Sequence, residues 1–476
     1  MKTPQRPAPS LMHRIRQIHL VGIGGAGMSG IAEVLVNLGF AVSGSDLVES
    51  DAVRRLRKLG VIVHIGHDAS HLCEADVVVV SGAVDDGNAE LLAAKERRIP
   101  VVARAEMLGE LMRFRHGIAV AGTHGKTTTT SLVAGILAHA GLDPTFIIGG
   151  LVNAFGSHAR LGEGRYLVAE ADESDASFLQ LQPVISVVTN IDRDHLDAYQ
   201  GSFDRLQQSF LAFLHHLPFF GVAVMRIDDP HVAQLVPDVG RSVVTYGFDE
   251  AADVRATELS QHGRSMRFTL WLPDSHEGVA VTLAQPGRHN VQNALGAAAV
   301  AWELGLDAET IASGLGAFEG IGRRFAALGE LSFAGKRVLG FEDYGHHPTE
   351  LDAVLQAARG GWPERRVAMV FQPHRFTRTR DQFDAFARVL GLVDELVLAD
   401  VYPAGEAPIP GIDSDALARA IQQRSDIPVH RVGAIEEVPA CLGDCLRDQD
   451  LLLVMGAGDV GRLGATLRSA GEGVRG

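Results

Sequence analysis

Short apolar runs alternate with amphipathic stretches through roughly the first quarter of the chain. The run IHLV ends in the glycine turn GIGG, and the following MSGIAEVLVNLGF places its apolar residues at helical spacing. Further apolar runs of strand length are AVSGSD, VIVHIG, DVVVVSGAV and PVVA. Strands that alternate with helices in this way predict a parallel sheet covered by helices.

The same alternation restarts twice. It resumes at GIAVAGTHGKTTTT and again after GIGRRF, while residues 240–285 contain short alternating runs typical of antiparallel strands. We therefore predict an α/β protein of three domains. They are a Rossmann-like N-terminal domain (residues 1–112), a central domain with a phosphate-loop ATPase-type parallel sheet and a small antiparallel sheet (113–325), and a Rossmann-like C-terminal domain (326–476).

Composition and charge narrow the classes of partner. The 476 residues carry a net charge of −15, which argues against general binding to nucleic acid. Cys73, Cys441 and Cys445 lack the paired spacing of a metal site, and Cys441 and Cys445 fit one helix. No leader pattern and no 18-residue apolar span are present, so we expect a cytoplasmic protein without a membrane partner. The oligomeric state is not predicted.

The first glycine turn has the spacing of a dinucleotide site. Gly22, Gly24 and Gly27 follow a strand and open a helix, and Asp46 ends the next strand. This pattern is compatible with an NAD-dependent dehydrogenase. The spacing is weak on its own, because GAGDVG at residues 456–461 satisfies it too, where tight packing of a strand on a helix is the simpler interpretation. We therefore interpret the first turn as phosphate-binding without assigning its ligand.

A second glycine loop, GTHGKTTT at residues 122–129, is shorter than the standard phosphate loop. It nevertheless follows an apolar strand and opens a helix, so the amides of Gly125 to Thr128 can surround phosphate oxygens. Lys126 can neutralise phosphate charge and the Thr127 hydroxyl can bind Mg²⁺. A threonine-rich helix start that only caps itself would not explain Gly-Lys-Thr after a buried strand.

Acidic residues end two of the predicted central strands. Glu170 and Asp172 follow the first, and carboxylates at this edge of a parallel sheet are suited to Mg²⁺. The second strand ends in TNIDRDHLD, where His195 stands among acids. Solvated loop acids are the alternative, but a phosphate loop in the same domain favours metal ligands. His195 is the candidate ligand of a second ion.

The ordered set of motifs resembles the Mur ligase family. It consists of GIGGAGMSG, GTHGKTTT, EADESD, TNIDRDHLD, GRHNVQNA, GIGRRF, EDYGHHPTE and FQPHRFTRTRD, and it spans the chain from residue 22 to beyond residue 380. The family's phosphate loop has the short form Gly-x-x-Gly-Lys-Thr. One departure is His158, which stands where family members usually carry Asn.

The resemblance implies roles for individual residues. ATP would be bound by Gly122, Thr123, His124, Gly125, Lys126, Thr127, Thr128, His289, Asn290, Asn293, Arg324 and Asp343. Thr127 and Glu170 would bind one Mg²⁺ and His195 a second. The uridine diphosphate part would contact Gly24, Gly25, the helix beginning near Met28, Asp46, His67 and Ser81. Tyr344, His346, Arg375 and Arg378 would face the amino acid and the muramoyl carboxylate, and the catalytic set would be Lys126, His195, Arg324, His346, Arg375 and Arg378.

The implied activity is ATP-dependent ligation in peptidoglycan precursor synthesis. L-Alanine would be joined to the lactyl carboxylate of UDP-N-acetylmuramic acid through an acyl phosphate, with ADP and phosphate as products. His195 and His346 are two candidates for the base that deprotonates the amine. The alternatives are a recycling ligase that attaches a tripeptide to the same sugar nucleotide, an NAD-dependent dehydrogenase, and a nucleotide-binding regulatory protein without catalysis.

Overall fold

The computed structural model describes residues 12, 14–152, 157–273 and 275–472. The chain forms two compact units, of which the first contains Met1–Arg255, Leu272–Asp274 and Ala294–Gly314. The second contains Ala256–Trp271, Ser275–Asn293 and Leu315–Gly476. The described strands form three sheets, and the predicted small antiparallel sheet is not separate, because β14 and β15 belong to the ten-stranded central sheet. The boundaries of the three predicted domains stay a prediction.

Strands and helices alternate along most of the chain. The strands are β1 (Gln17–Val21), β2 (Ala41–Asp46), β3 (Ile62–Ile65), β4 (Val77–Val80), β5 (Val101–Ala103), β6 (His116–Ala121), β7 (Thr145–Val152), β8 (Ser157–Arg160), β9 (Tyr166–Glu170), β10 (Ile185–Val188), β11 (Val222–Arg226), β12 (Ser242–Gly247), β13 (Val254–His262), β14 (Ser265–Trp271), β15 (Val279–Leu283), β16 (Ala326–Phe333), β17 (Lys336–Asp343), β18 (Val367–Phe371), β19 (Glu395–Ala399), β20 (Val429–Val432) and β21 (Leu451–Met455).

The α-helices are α1 (Ala26–Asn37), α2 (Asp51–Lys58), α3 (Ala89–Arg97), α4 (Arg104–Arg113), α5 (Lys126–His139), α6 (Phe203–His215), α7 (Pro230–Leu235), α8 (Arg288–Glu303), α9 (Ala308–Gly316), α10 (Pro348–Gly361), α11 (Phe376–Asp381), α12 (Phe383–Leu390), α13 (Ser414–Gln422), α14 (Val438–Cys445) and α15 (Val460–Glu472). Short 3₁₀ helices cover Ala69–Leu72, Ser177–Gln180, Leu196–Tyr199, Val236–Asp238 and Ile435–Glu437. Within the described residues, none of these helices combines the length and apolar character that crossing a bilayer requires.

The N-terminal sheet has the strand order β3-β2-β1-β4-β5, and all four pairings are parallel. The chain leaves β1 toward β2 on one side and later returns to β4 on the other. Ligands of parallel sheets bind where the strand order reverses in this way. The glycine turn that follows β1 lies at this position, so the sheet topology and the motif indicate the same site.

In the first unit, the central sheet places β6 between β10 and β9. Both pairings are parallel, and Ala121 is in register with Val188 while Val120 is in register with Glu170. The carboxyl ends of the three strands are therefore level with one another. Each of these ends is followed by one of the motifs that the sequence analysis singled out.

The second unit contains the predicted antiparallel strands and the C-terminal sheet. β14 and β15 pair antiparallel, as the alternating runs of residues 240–285 predicted. The C-terminal sheet has the order β16-β17-β21-β18-β19-β20, in which only the β16–β17 pairing is antiparallel. Its inner strands β18, β19 and β21 are buried at every residue, which is why they read as continuous apolar runs.

A cluster of phenylalanines fills the core of the first unit. The rings of Phe178 and Phe210 lie 5.2 Å apart, edge to face, and those of Phe178 and Phe213 lie 5.0 Å apart. All three side chains are fully buried. Phe219, only a few residues further along the chain, is 89% exposed.

The fold predicts that Phe210→Ala destabilises the first unit by about 3–5 kcal/mol, because it removes buried apolar area and leaves a cavity. Phe219→Ala is the matched control, and its effect is expected to stay within about 0.5 kcal/mol. Urea denaturation followed by circular dichroism measures both. Equal stability of the two variants would contradict the described packing.

Candidate functional site

The short phosphate loop joins β6 to α5. Gly122 adopts φ +133°, and a Cβ at this position would lie 2.0 Å from the hydroxyl oxygen of Thr189. Only glycine is compatible with both the backbone angle and this approach. Gly125, at φ +83°, precedes the first turn of α5, and the amides at this helix start are the ones available to an anion.

The residues after β10 hold the loop in place. Thr189 Oγ1 donates to the carbonyl of His124 at 2.6 Å, and Asn190 Oδ1 accepts from the His124 amide at 2.8 Å. The Asp192 amide donates to Thr123 Oγ1 at 2.9 Å, and the Asp192 carboxylate lies 3.0 Å from His124 Nε2. Asn190 and Asp192, which the sequence grouped with possible metal ligands, thus shape the phosphate loop.

Lys126 is held by acceptors on three sides. Its Nζ donates to the Gly122 carbonyl at 2.7 Å, to the Thr123 carbonyl at 3.3 Å and to Glu173 Oε2 at 2.7 Å. Burial alone would lower the pKa of Lys126, but the carboxylates of Glu173 and Asp172 raise it, so the ammonium stays charged.

Glu173 is a site residue that the sequence analysis did not select. Its side chain is 1% exposed, and burial raises its pKa to about 7 although Lys126 acts in the opposite direction. Its Oε1 has no hydrogen-bond partner among the described residues. The motif EADESD contains this residue, but its letters do not reveal which of four acids is buried.

The three predicted metal ligands lie at the ends of neighbouring elements. Thr127 is the second residue of α5, and Glu170 ends β9 and accepts from the Gly149 amide at 2.8 Å. His195 lies after β10 at φ +54°, with Nε2 3.4 Å from Asp194 Oδ2. Among the described residues, neither Glu170 nor His195 belongs to a group of three or more His, Cys, Asp or Glu ligand atoms within 4.8 Å of one another.

The N-terminal glycine turn is fixed from β2. The Gly22 and Ile23 amides donate to the Ser45 carbonyl at 2.9 and 3.0 Å, and the Gly24 amide donates to Asp46 Oδ2 at 2.8 Å. Gly25 is exposed and precedes α1. The turn therefore presents the start of a helix while its own amides are anchored on the adjacent strand.

The sugar-nucleotide half-site consists of the glycine turn and the residues predicted to contact the uridine diphosphate part. Two of these residues, Ser81 and His67, lie beside the turn. Ser81 follows β4, and a Cβ on Gly22 would lie 3.2 Å from the Ser81 Cβ. His67 follows β3, and its side chain is 18% exposed. Met28 differs from the expectation, because α1 begins at Ala26 and the Met28 side chain is 2% exposed within the apolar core. The side chain of His158 lies outside the described residues.

In the second unit, the three residues predicted to lie near adenine occupy the first two turns of α8. Asn290 and Asn293 are buried, and Asn290 Nδ2 donates to the Pro286 carbonyl at 2.7 Å. Asn293 Nδ2 donates to Asn290 Oδ1 at 3.3 Å. Burial, assisted by the charge of Arg324, lowers the pKa of His289 to about 4, so its imidazole is neutral at physiological pH.

Asp343 ends β17 and accepts from the amides of Phe325 and Gly345, each at 2.7 Å. Burial raises its pKa against the charge of Arg324. The Arg324 guanidinium lies 5.3 Å from the centre of the Tyr344 ring, within reach of a cation–π interaction. The second unit thus brings a carboxylate and an arginine together around one tyrosine.

The residues predicted to face the amino acid lie near that tyrosine. The rings of Tyr344 and His346 lie 5.3 Å apart, and His346 also lies 5.6 Å from the ring of His374, which the sequence analysis did not select. Arg378 is 6% exposed and its Nη1 lies 3.4 Å from His374 Nδ1. Arg375 precedes α11 at φ +72°, with its amide donating to the Tyr402 carbonyl at 2.8 Å.

The second match to the dinucleotide spacing is a packing motif, as its simpler interpretation predicted. A Cβ on Gly458 would lie 2.6 Å from Gln372 Oε1, and one on Gly461 would lie 2.6 Å from the Arg323 guanidinium carbon. Gln372 Oε1 also accepts from the Val460 amide at 3.0 Å. These contacts fill the space that a ligand would need.

A phosphate loop on a parallel sheet, together with a Rossmann-like sheet that carries its own glycine turn, defines a nucleotide-dependent enzyme. Residues 17–116 match the catalytic domain of the Mur ligase family, residues 120–301 match the Mur ligase middle domain, and residues 323–458 match the Mur ligase glutamate ligase domain. The chain belongs to the Mur ligase family. This family is ATP-dependent.

Individual relatives agree with the family. The chain is 58% identical to UDP-N-acetylmuramate–L-alanine ligase of Xanthomonas campestris over 95% of its length and 94% of the relative's. Among solved structures, it resembles a UDP-N-acetylmuramate–alanine ligase from Thermotoga maritima (TM-score 0.80, 27% identity, 96% of this chain and 99% of that one). It also resembles a murein peptide ligase from Psychrobacter arcticus (TM-score 0.71, 28% identity, 96% and 98%).

The lowered pKa of His289 predicts a pH-dependent stability. The unfolded chain binds a proton near pH 6.5 and the folded protein only near pH 4, so this residue costs folding free energy as the pH falls below about 6.5. Between pH 7 and pH 5 the wild type should lose about 1–2 kcal/mol more than His289→Gln. Urea denaturation at both pH values measures this difference. The exposed His262→Gln is the control, and a His289→Gln variant that retains the wild-type pH dependence would refute the assignment.

Proposed function

We propose that the protein joins L-alanine to the lactyl carboxylate of UDP-N-acetylmuramate at the expense of ATP, in peptidoglycan precursor synthesis. The observation that carries the proposal is the 58% identity, over 95% of the chain, to relatives named for this reaction. The phosphate loop with its buried lysine supplies the chemistry that the reaction needs. The residue roles below are part of the proposal.

Lys126 is the proposed partner of the ATP phosphates. Its charge is maintained by Glu173 and Asp172, and its ammonium stands beside the amides that open α5. Arg324 and Asp343 of the second unit, with His289, Asn290 and Asn293, are proposed to contact the same nucleotide. The neutral imidazole of His289 suits a contact to a base better than one to a phosphate.

The donor set fits magnesium. Glu170 and Thr127 offer carboxylate and hydroxyl oxygens, which are the ligands that Mg²⁺ prefers, at the carboxyl edge of the sheet that carries the phosphate loop. We propose that His195 serves a second ion, since it follows β10, next to the strand β6 that leads into the phosphate loop. Bound Mg²⁺ would screen the negative charge of the triphosphate and the attacking carboxylate.

The reaction has two steps. A lactyl carboxylate oxygen attacks the γ-phosphorus, and the bond from that phosphorus to the bridging oxygen breaks, which yields ADP and an acyl phosphate. A base, for which His195 and His346 are the two candidates, takes a proton from the L-alanine ammonium. The uncharged amine attacks the acyl carbon, phosphate leaves with the electron pair of the C–O bond, and the nitrogen loses a further proton as the amide forms. The carboxylate and the triphosphate are both anionic and repel one another. The first step therefore depends on the positive charges of Lys126, Arg324, Arg375 and Arg378, which offset this repulsion.

The amino acid is proposed to bind in the second unit. Arg375 and Arg378 offer cations to its carboxylate or to that of the muramoyl group, and Tyr344 and His346 line the same group of rings. His374 joins this set: burial, with the charges of His346 and Arg378, lowers its pKa to about 4. A neutral imidazole leaves the positive charge of this region on the arginines.

The UDP part is proposed to bind at the first glycine turn, near Gly24, Gly25, Asp46, His67 and Ser81. An NAD-dependent dehydrogenase is less supported, because the relatives at 58% identity over 95% of the chain are named for the ligase reaction. The recycling ligase is a less supported alternative, since the TM-score to the solved alanine ligase (0.80) exceeds that to the murein peptide ligase (0.71), and the relatives at 58% identity are named for L-alanine ligation.

The proposal predicts that Lys126→Ala abolishes most turnover, by about a hundredfold or more, because a transition-state charge contact is lost. UDP-N-acetylmuramate binding, measured by calorimetry, should remain within about twofold of the wild type, since the N-terminal turn is untouched. The assay is ADP release that depends on both UDP-N-acetylmuramate and L-alanine.

Lys58→Ala, at an exposed position of α2, is the matched control and should retain wild-type turnover. ADP release from Lys126→Ala at the wild-type rate would refute the role of the lysine. A tripeptide that replaces L-alanine with higher kcat/KM would favour the recycling activity, and an absorbance change of a nicotinamide cofactor would favour the dehydrogenase.

A further inference from the structure

Glu90, at the start of α3, is a fully buried carboxylate surrounded by donors. Its Oε2 accepts from Ser45 Oγ at 2.6 Å and lies 3.0 Å from His67 Nδ1. Its Oε1 lies 2.9 Å from His71 Nδ1 and 3.6 Å from His19 Nε2. Buried carboxylates are rare unless they are paired, and this one has four side-chain neighbours, from β1, β2, the loop after β3 and a 3₁₀ helix.

The surroundings keep this carboxylate ionised. Burial raises its pKa, but the nearby His19 side chain and the hydrogen bonds with Ser45 and His71 outweigh burial and lower the pKa of Glu90 to about 2. The start of α3 contributes in the same direction, because Glu90 stands in the first turn, where the helix dipole favours an anion. Glu90 is therefore a fixed negative charge at any pH of interest.

The first connection to the half-site runs through Ser45. The side chain of Ser45 is held by Glu90, while its backbone carbonyl accepts from the Gly22 and Ile23 amides of the glycine turn. The next residue, Asp46, accepts from Gly24. Glu90 thus restrains the one strand end on which the shape of the turn depends.

The second connection runs through His67. The Gly66 amide donates to the Asp46 carbonyl at 2.9 Å, which ties the backbone before His67 to the same strand end. The Nδ1 edge of the ring faces Glu90 and Ser45, and the side chain is 18% exposed whereas that of Glu90 is fully buried. Because Nδ1 faces inward, Nε2 is on the edge of the ring that is directed away from the carboxylate.

We propose that Glu90 is a positioning residue for the sugar-nucleotide half-site. It holds Ser45 and His67 together, so that the glycine turn and the Nε2 edge of the His67 ring are presented in one fixed arrangement to the uridine diphosphate part of the substrate. The inference rests on the proposed function, which supplies the sugar nucleotide. Under this proposal, Glu90 does not contact the ligand. It acts through Ser45 and His67, which lie beside the glycine turn.

A purely structural role has a different signature. If Glu90 only satisfied buried histidines, its replacement would reduce stability and the fraction of active enzyme, while the KM of every substrate stayed the same. A positioning role instead raises the KM for one substrate. The split between KM and kcat therefore separates the two roles.

The test is Glu90→Gln in the full-length protein. The amide keeps the size of the side chain but removes the charge and one acceptor, so the KM for UDP-N-acetylmuramate should rise by about tenfold or more. The kcat and the KM values for ATP and L-alanine should stay within about twofold. Glu96→Gln, at an exposed position of the same helix, is the control and should match the wild type.

A double-mutant cycle tests the route through His67. We expect His67→Gln to raise the same KM, and Glu90→Gln combined with it to raise the KM by clearly less than the product of the two single effects. Multiplying effects would overturn the proposal, as would an unchanged KM in folded Glu90→Gln. Circular dichroism shows whether Glu90→Gln folds. If it does not fold, the KM of His67→Gln for UDP-N-acetylmuramate is the remaining test, and an unchanged KM in that variant would also overturn the proposal.

Failure of the proposed function has a separate outcome. If the wild type releases no ADP in the presence of UDP-N-acetylmuramate and L-alanine, the proposed function is wrong. If the wild type is active while the variants leave the KM for UDP-N-acetylmuramate unchanged, only the role of Glu90 is wrong.

Discussion

The contact between Gly122 and Thr189 sets the position of the phosphate loop. Thr189 occupies the space where any larger residue at position 122 would carry its Cβ, and its hydroxyl bonds to the carbonyl of His124 two residues later. The contact exists because β6 and β10 pair in parallel, with Ala121 and Val188 in register, so that both chains leave the sheet side by side. The parallel register, the single glycine and the threonine together place the lysine at the start of α5.

Much of the fold could be predicted from the sequence, because buried parallel strands are continuous apolar runs bounded by turns. The inner strands β1, β2 and β4 of the N-terminal sheet, and β6, β9 and β10 of the central sheet, were found in this way, whereas β11 was not predicted. β16 and β20 were not predicted, since their burial alternates or is partial and polar residues interrupt them. β7 and β8 were not predicted for a different reason. The sequence of β7, TFIIGGLV, contains two glycines and that of β8, SHAR, contains a charged residue, and both features favour a loop.

The candidate site could be predicted in its motifs and less well in its contacts. The sequence motifs contain the glycines, Lys126 and the acidic residues at the strand ends. The family resemblance then implied a role for each of them. Which acid is buried depends on tertiary packing, so Glu173 and Glu90 could not be distinguished from their solvated neighbours. Met28 is 2% exposed in the apolar core, so its contact with the uridine diphosphate part stays a prediction.

The pair formed by Lys126 and Glu173 means that the phosphate loop already contains an internal counter-ion. An anion that binds Lys126 competes with Glu173 for the ammonium, so its affinity reflects an exchange of one negative partner for another. Glu173, whose pKa is already raised to about 7 by burial, binds a proton more tightly once the lysine is shared with a phosphate. If a nucleotide phosphate binds Lys126 as proposed, its binding would be coupled to proton uptake, and the heat of binding near neutral pH would depend on the ionisation enthalpy of the buffer.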